Sequence, residues 1–307
     1  MQVSIIIPTK DRGSVFDEAL QSVIKAIEGL DAEVIVINDS KTSSPNIPSV
    51  WNNVILVHNP KSGVASARNL GASMSQAEIL LFMDDDFIIP PDSIVRALNV
   101  ATHDSLKIHL FNWIYPPALQ QHLTQFQFGR YLIAQGFTSV QGWLGKGWRE
   151  DMVFELKDGA SYFLPIRKSI FTEVGGYNEN FPHAGAEDYD FIQRAKEKGV
   201  RFYLDKSCTL YHNERDRLEL RNWLMRKERN GVTLQIAVSF GHEELALNYS
   251  IYKKIIMATL SKAKPILFWF LKLIPNARMF DRLYFSLTSL LLSIYLFIGY
   301  SKKISGQ

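Results

Sequence analysis

Asp84, Asp85 and Asp86 stand in a row between the apolar runs ILLFM and FIIPP. At an effective dielectric of about 20, two carboxylates ~6 Å apart repel by ~3 kcal/mol. Three of them at the end of a buried strand need a counter-charge, and a bound cation is one candidate. Residues i and i+2 of an extended segment face the same side. Asp84 and Asp86 are therefore expected to share one site while Asp85 turns away, the most replaceable of the three. Hard carboxylate oxygens suit Mg2+ or Mn2+, ions that keep room for substrate phosphates. An acidic triplet alone is a weak signal, because loops are often acidic, but the flanking apolar runs argue against a solvated loop.

Four other places carry chemistry-bearing side chains. Asp39 ends the run VIVIN, where an acid can accept hydrogen bonds from a ribose hydroxyl or a base; a turn-forming aspartate is the plainer alternative. Glu187 and Asp188, in HAGAEDYDF, fall at an expected helix start, where the helix dipole favours carboxylates anyway. That structural account is strong for Glu187 and Asp190. Successive helix residues diverge by ~100°, so one of the pair at most faces a given substrate atom. A deprotonated carboxylate in a cleft can act as general base toward a sugar hydroxyl. His212, in TLYHN, is a structural histidine or, if it lies near Asp86, a metal ligand. Arg68, in GVASARNLG, either packs a helix on the sheet, orients the acids or meets a phosphate.

Such residues need elements that bring them together. Residues 3–8, 33–38, 53–58 and 78–83 read as strands, the first two as continuous apolar runs expected of strands buried on both faces. Helical spacing appears over 14–29, with Ser14 as N-cap and Gly29 as stop, and over 63–76. Strands alternating with crossover helices imply a mainly parallel α/β sheet, whose ligands sit beyond the carboxyl ends of the strands. Those ends here are PTKDR, INDS, HNPKSG and DDDF, and together they can line one crevice. A helix is expected to begin within 90–101, where proline is tolerated in the first turn. Residues 111–150 show weak periodicity and are expected to form a variable insertion facing the substrate. Beyond them lie a strand, short helix and Gly-Gly turn over 159–181, a helix from Glu187 to Lys198, strands at VRFYLD and CTLYHN, and a helix over 216–240.

The chain has 307 residues, 47% hydrophobic and 21% charged, enough for a large globular core plus an appendage. The one cysteine, Cys208, excludes an internal disulfide framework and a cysteine-built zinc site, and fits a reducing compartment. Neither a basic leader nor a small-residue cleavage site precedes the first strand, so no secretory signal is expected. The net charge of +3 conceals a basic tail: residues 251–307 carry nine Lys/Arg, Lys303 included, against the single acid Asp281. Basic, apolar tails on an acidic body suit anionic lipid better than nucleic acid, and no basic patch interleaved with stacking aromatics appears in the body. No G-x-G-x-x-G follows the first strand and no phosphate-loop motif occurs, which argues against a dinucleotide cofactor and a P-loop.

In order, SIIIPTKDR, VIVINDS, GVASARNLG, LLFMDDDF, GASYFLPIRKSIFTEVGGYNENF and AEDYDF resemble family 2 glycosyltransferases of the GT-A fold, over about residues 3 to 213. The resemblance implies a Rossmann-like, mainly parallel mixed sheet flanked by helices, and an inverting transfer of one sugar from a nucleotide-sugar donor, most simply a UDP-sugar. It places Pro8, Thr9 and Asp11 beside the nucleotide, Asp39 on the uracil or ribose, and Arg68 beside the site. Asp84 and Asp86 match the two acids of the family's D-x-D motif, Asp84 toward the ribose and Asp86 on Mn2+ or Mg2+, with Asp85 in the same nucleotide-binding segment. Asp188 matches the catalytic base, and His212 a metal-binding histidine of some related enzymes. Glu187 and Trp143 would wall the acceptor site. The implied partners are a nucleotide-sugar donor and a glycan or polyprenyl-lipid-linked acceptor at the cytoplasmic membrane surface.

Two departures stand out. Lys10 and Asp11 replace the aromatic and asparagine more frequent in the family, and no Q-x-x-R-W occurs, which disfavours a processive polymerase. A sugar nucleotidyltransferase would want a Gly-rich loop with arginine after the first strand, where the sequence reads PTKDRGS. A non-catalytic sugar- or lipid-binding subunit is the alternative from another class. The expected domains are a catalytic one over 1–215, including the insertion, and a helical membrane-associating region over 216–307. Within the latter, 253–275 is apolar, studded with lysines and interrupted by Pro265, as in helices lying in the headgroup plane. The uncharged stretch 283–300 is at the lower edge of a membrane-spanning length.

Overall fold

A computed structural model describes residues 1–302 of the chain; Lys303, counted above in the basic tail, lies outside the described residues. Two compact units emerge: one comprises 1–116, 139–182 and 187–216, the other 117–138, 183–186 and the chain from Arg217 onward.

In the first unit, β1 (Val3–Thr9), α1 (Ser14–Ala26), β2 (Ala32–Asn38), β3 (Val54–His58), α2 (Val64–Met74) and β4 (Ile79–Met83) follow one another. These are the alternating strands and crossover helices that the apolar runs predict. β3, β2, β1 and β4 lie side by side in parallel, and β8 (Phe163–Arg167) joins β4 antiparallel. β1, β2 and β4 are buried along their whole length, as parallel strands covered on both faces must be. β3 is the sheet edge, with Ile55 and Leu56 exposed. α2 lies tight on β1: a Cβ at Gly71 would come 2.4 Å from Cγ2 of Ile6.

A second sheet has the order β5 (Phe87–Ile88), β9 (Arg201–His212) and β6 (Lys107–Ile114), with β7 (Val153–Glu155) also paired to β9. VRFYLD and CTLYHN are thus parts of one strand, whose register with β6 shifts after Phe111. α3 (Ser93–His103), α6 (Val140–Leu144), α7 (Lys168–Val174) and α8 (Glu187–Glu197) complete this unit. Residues 111–114 belong to β6, where Leu110 and Phe111 are both buried and break the alternation that marks a half-buried strand. Ser14 is the first residue of α1 rather than its cap, which is Gly13 at φ 51°.

The second unit is helical: α4 (Pro117–Leu123), α5 (Gln127–Ala134), α9 (Leu220–Ser239), α10 (Ile251–Leu273) and α11 (Asp281–Tyr300). Part of the expected insertion therefore clusters with the C-terminal helices, a division different from the one expected from sequence. Arg130 grips Asp281 with two hydrogen bonds of 2.7 and 2.6 Å, and Gln127 donates to the Pro275 carbonyl at 2.7 Å. α9 and α11 meet backbone to backbone, since a Cβ on Gly299 would fall 1.8 Å from the Glu228 carbonyl oxygen. Pro265 does not interrupt α10, which runs through it; one lost N–H is a local cost. By length and composition Arg278–Tyr300 can cross a membrane, and Tyr284, Thr288, Leu291, Leu292, Ile294 and Gly299 within it are buried in the protein.

Candidate active site

β4 ends at Met83 and the chain turns through Asp85 and Asp86 before β5. The turn breaks the alternation expected of an extended segment: Asp84 reaches Arg68, whereas Asp85 and Asp86 both reach Arg12. The Asp84 N–H donates to the Tyr162 carbonyl at 3.0 Å, and its Oδ1 accepts from Nη2 of Arg68 at 2.8 Å. Asp85 does not turn away. Its Oδ2 accepts from Thr9 Oγ1 at 2.7 Å, and its Oδ1 lies 3.2 Å from Nε of Arg12. The expectation that it is the most replaceable of the three is corrected by these two anchors on the β1 end. Asp86 pairs with Nη2 of Arg12 and faces Nε2 of His212 at 3.5 Å.

Two buried arginines supply the counter-charge that the acidic run demands. Arg12 reaches Asp85, Asp86 and, at 2.8 Å, Asp216. The neighbouring carboxylates raise its pKa in spite of burial, which alone would lower it. Arg68, 4% exposed, spans from Asp84 to Oε1 of Glu187 at 3.1 Å and lies 5.1 Å above the Tyr177 ring. Tyr177 is fixed in turn: its N–H and carbonyl both bond the Asn69 side chain, and its hydroxyl donates to Ser161 at 3.0 Å. The Gly-Gly turn supplies this clasp, Gly176 standing at φ 68°, a conformation that favours glycine.

Glu187 and Asp188 open α8. Glu187 is buried against Arg68, whereas Asp188 is half-buried and accepts from the Tyr189 N–H at 2.8 Å. Burial, reinforced by the Glu187 charge, pushes the Asp188 carboxyl up to about 7. A base with that value holds a proton weakly enough to be ionised near neutrality and strongly enough to accept another. Burial also raises the pKa of Asp84, against the pull of Arg68.

His212 ends β9 opposite Phe87. Its ring stacks on Phe87 at 4.5 Å and meets the rings of Trp113 and Tyr115 edge-on at 5.0 and 5.6 Å. The Asn213 N–H donates to the Asp86 carbonyl at 2.7 Å, which ties the acidic turn to the end of β9. Glu214, buried, accepts from the Tyr115 hydroxyl at 2.5 Å and lies 3.9 Å from His212 Nε2. One ligand atom each of Asp86, His212 and Glu214 falls within 4.8 Å of the others. Two carboxylates and an imidazole form a donor set that suits Mn2+ or Mg2+. Glu214 and Arg12 were not singled out in the sequence. The signal for Glu214 was its i+2 spacing from His212 at a strand end; for Arg12 it was an arginine in the turn after β1.

The remaining expected residues fall on the β1 and β2 ends. Pro8 and Thr9 are buried at the end of β1. Asp11, at φ 54°, accepts from Ser40 Oγ and Ser43 Oγ, both at 2.6 Å, which hold its pKa low. Asp39 accepts from Asn59 Nδ2 at 2.7 Å, from the Gly63 N–H at 2.9 Å and from Lys10 Nζ at 3.1 Å. Trp143 is 57% exposed on α6 and takes no part in the contacts that hold the acids together.

A family model described as Glycosyl transferase family 2 matches residues 4–136, and one described as the N-terminal domain of galactosyltransferase matches 160–213. The chain is 26% identical over 194 residues to an uncharacterized glycosyltransferase of Haemophilus influenzae, covering 62% of this chain and 60% of that one. It is 25% identical over 236 residues to the pre-mycofactocin glycosyltransferase of Mycobacterium tuberculosis, covering 73% and 45%. To the dolichol-phosphate mannosyltransferase of Pyrococcus furiosus it is 24% identical over 179 residues, covering 57% and 48%. The chain thus spans about half the length of the curated relatives it matches. Among solved structures, GalNAc-T7 with UDP, GalNAc and Mn2+ superposes with a TM-score of 0.52 at 14% identity, covering 69% of this chain and 43% of that one. Staphylococcus aureus TarS superposes with 0.51 at 15% identity, covering 98% and 55%. These likenesses establish the GT-A fold.

Proposed function

We propose, for a chain that belongs to the family 2 glycosyltransferases, that it moves one sugar from a nucleotide-sugar donor to a hydroxyl of a glycan or lipid-linked glycan, with inversion. The observation that carries this reading is the span of Arg68 from Asp84, in the acidic turn, to Glu187, beside Asp188. One buried guanidinium thereby couples the donor-side acids to the general-base candidate within a single compact unit.

Thr9, Pro8 and Asp11 border the nucleotide, and Asp39 is the acceptor of hydrogen bonds from its ribose or uracil. Asp86, His212 and Glu214 would hold Mn2+ or Mg2+, which when bound neutralises charge on the leaving diphosphate. GalNAc-T7 was solved with UDP and Mn2+, which supports a UDP-sugar and a divalent metal for this fold. Asp188 takes the proton of the acceptor hydroxyl. The hydroxyl oxygen attacks the anomeric carbon from the face opposite the diphosphate, and the bond to the departing nucleotide breaks with its electron pair. A single displacement of this kind inverts the centre and needs no covalent enzyme intermediate.

A lipid-linked acceptor at the cytoplasmic face of the membrane is supported by the basic, apolar C-terminal region and by the likeness to a dolichol-phosphate mannosyltransferase. The test is a panel of nucleotide sugars with Mn2+ or Mg2+, scored by thermal stability and by sugar transfer to lipid-linked acceptors in detergent. The expected result is a donor- and metal-dependent rise in Tm that Asp86→Ala removes. An unchanged Tm across the whole panel would overturn the reading.

A further inference from the structure

An amphipathic helix in a soluble protein turns its apolar stripe to the core; α10 does the reverse. It packs on α11 through a narrow face on which Met257 and Leu271 are its buried residues. At 100° per residue, Ile251, Ile255, Ile266, Trp269, Phe270 and Leu273 fall on the opposite face, and each is at least 51% exposed. Five lysines and no acid occur between 251 and 273. Lys254 and Lys272 share one angular position at the edge of the apolar face, and Lys262 lies within it; all three are exposed. α11, by contrast, has one face packed on protein: its glycine contact with polar α9 leaves no room for even a methyl group, and Leu291, Leu292 and Ile294 are buried.

We propose that the exposed face of α10 is an in-plane docking surface for an anionic bilayer, and that α11 is its intramolecular support rather than a membrane span. Six large apolar side chains bare on one helix face, with Lys262 among them, exceed the scattered single residues that a soluble surface normally shows. Trp269 on that face and Tyr252 beside it are amphipathic rings suited to the headgroup level. Charge complementarity selects the occupant. A second copy of α10 would set lysines against lysines, whereas anionic headgroups neutralise them while the acyl boundary takes the apolar side chains. The proposal shares its direction with the membrane-bound reading above but rests on α10 alone.

The test is flotation of the full chain with phosphatidylcholine vesicles, with or without about one-third phosphatidylglycerol, in the absence of donor and acceptor. A failed donor panel and a failed docking surface are thereby told apart. Ile266→Glu/Trp269→Glu is expected to weaken binding at least tenfold without lowering Tm, because both side chains are solvent-facing. Lys254→Gln/Lys262→Gln is expected to weaken binding to anionic vesicles by roughly 25-fold, about five-fold per lysine, and 0.5 M salt should weaken the wild type similarly. Binding that ignores these substitutions, or equal binding to neutral vesicles, would overturn the proposal. So would self-association in sedimentation that Ile266→Glu/Trp269→Glu abolishes while vesicles bind neither protein.

Discussion

Nε2 of His212 lies 3.5 Å from Oδ2 of Asp86, and the imidazole is held there by Phe87 stacked at 4.5 Å. Packing, rather than the acid alone, sets the ring's direction. The histidine is therefore expected to serve as a preformed ligand. His212→Ala should weaken Mn2+ binding by about 10- to 100-fold, and Glu214→Gln by less; calorimetric titration of Mn2+ in the presence of UDP checks both. Affinity untouched by either change would remove this donor set.

Arg12 joins Asp85, Asp86 and Asp216, so it does in the isolated protein part of what a divalent ion would do. Arg12→Met removes the guanidinium that these carboxylates share. Breaking a buried ion pair from one side costs about 3–5 kcal/mol, so Tm should fall steeply. Mn2+ should then recover more of the Tm in the variant than it adds to the wild type. Equal increments of Tm in the two proteins would show that Arg12 and the metal do not act on the same charges.

As the proposed base, Asp188 would link activity to pH. Its folded pKa, about 7, lies above the ordinary 3.8. The folded chain therefore holds a proton there that the unfolded chain releases, and the associated stability, full below the unfolded value, is lost as pH rises through about 7. kcat/KM for transfer should rise with pH and level off above about 7, because the ionised carboxylate is the active form. Asp188→Asn should retain donor binding, lose transfer, and melt a few degrees above the wild type at pH 8 but not at pH 4. A variant that still transfers would remove Asp188 as the base.

Gly71 connects packing to the site, since it lets α2 approach β1 three residues from Arg68. With Ile6 Cγ2 at 2.4 Å from where a Cβ would stand, Gly71→Ala should cost ~1–3 kcal/mol by overpacking. It should also shift Arg68 from Asp84 and lower kcat more than it raises KM. Denaturant unfolding and steady-state kinetics on the same preparation check this, and a variant of wild-type stability and kcat would contradict it.

β1, β2 and β4 were legible because strands buried on both faces read as unbroken apolar runs, and their carboxyl ends pointed to Asp39 and the acidic triplet. β5 and β7 were too short to register, and in β6 the alternation breaks where Leu110 and Phe111 are both buried. The partners of the triplet were hidden for a different reason. A turn at Asp85 and Asp86 redirects side chains in a way that strand alternation cannot anticipate. The contact of Arg12 with Asp216 joins residues far apart in the chain, and only the completed fold brings them together. For α10 the sequence disclosed lysines and apolar residues; which face looks outward depended on how α11 packs.

The acidic turn is expected to bind a nucleotide diphosphate through a divalent metal. Calorimetry of UDP binding in the presence and absence of Mn2+, on the wild type and on Asp86→Ala, tests it most directly. Saturable binding that requires Mn2+ and is weakened at least tenfold by the substitution is expected. Equal UDP affinity with and without Mn2+, or equal affinity in both proteins, would contradict it.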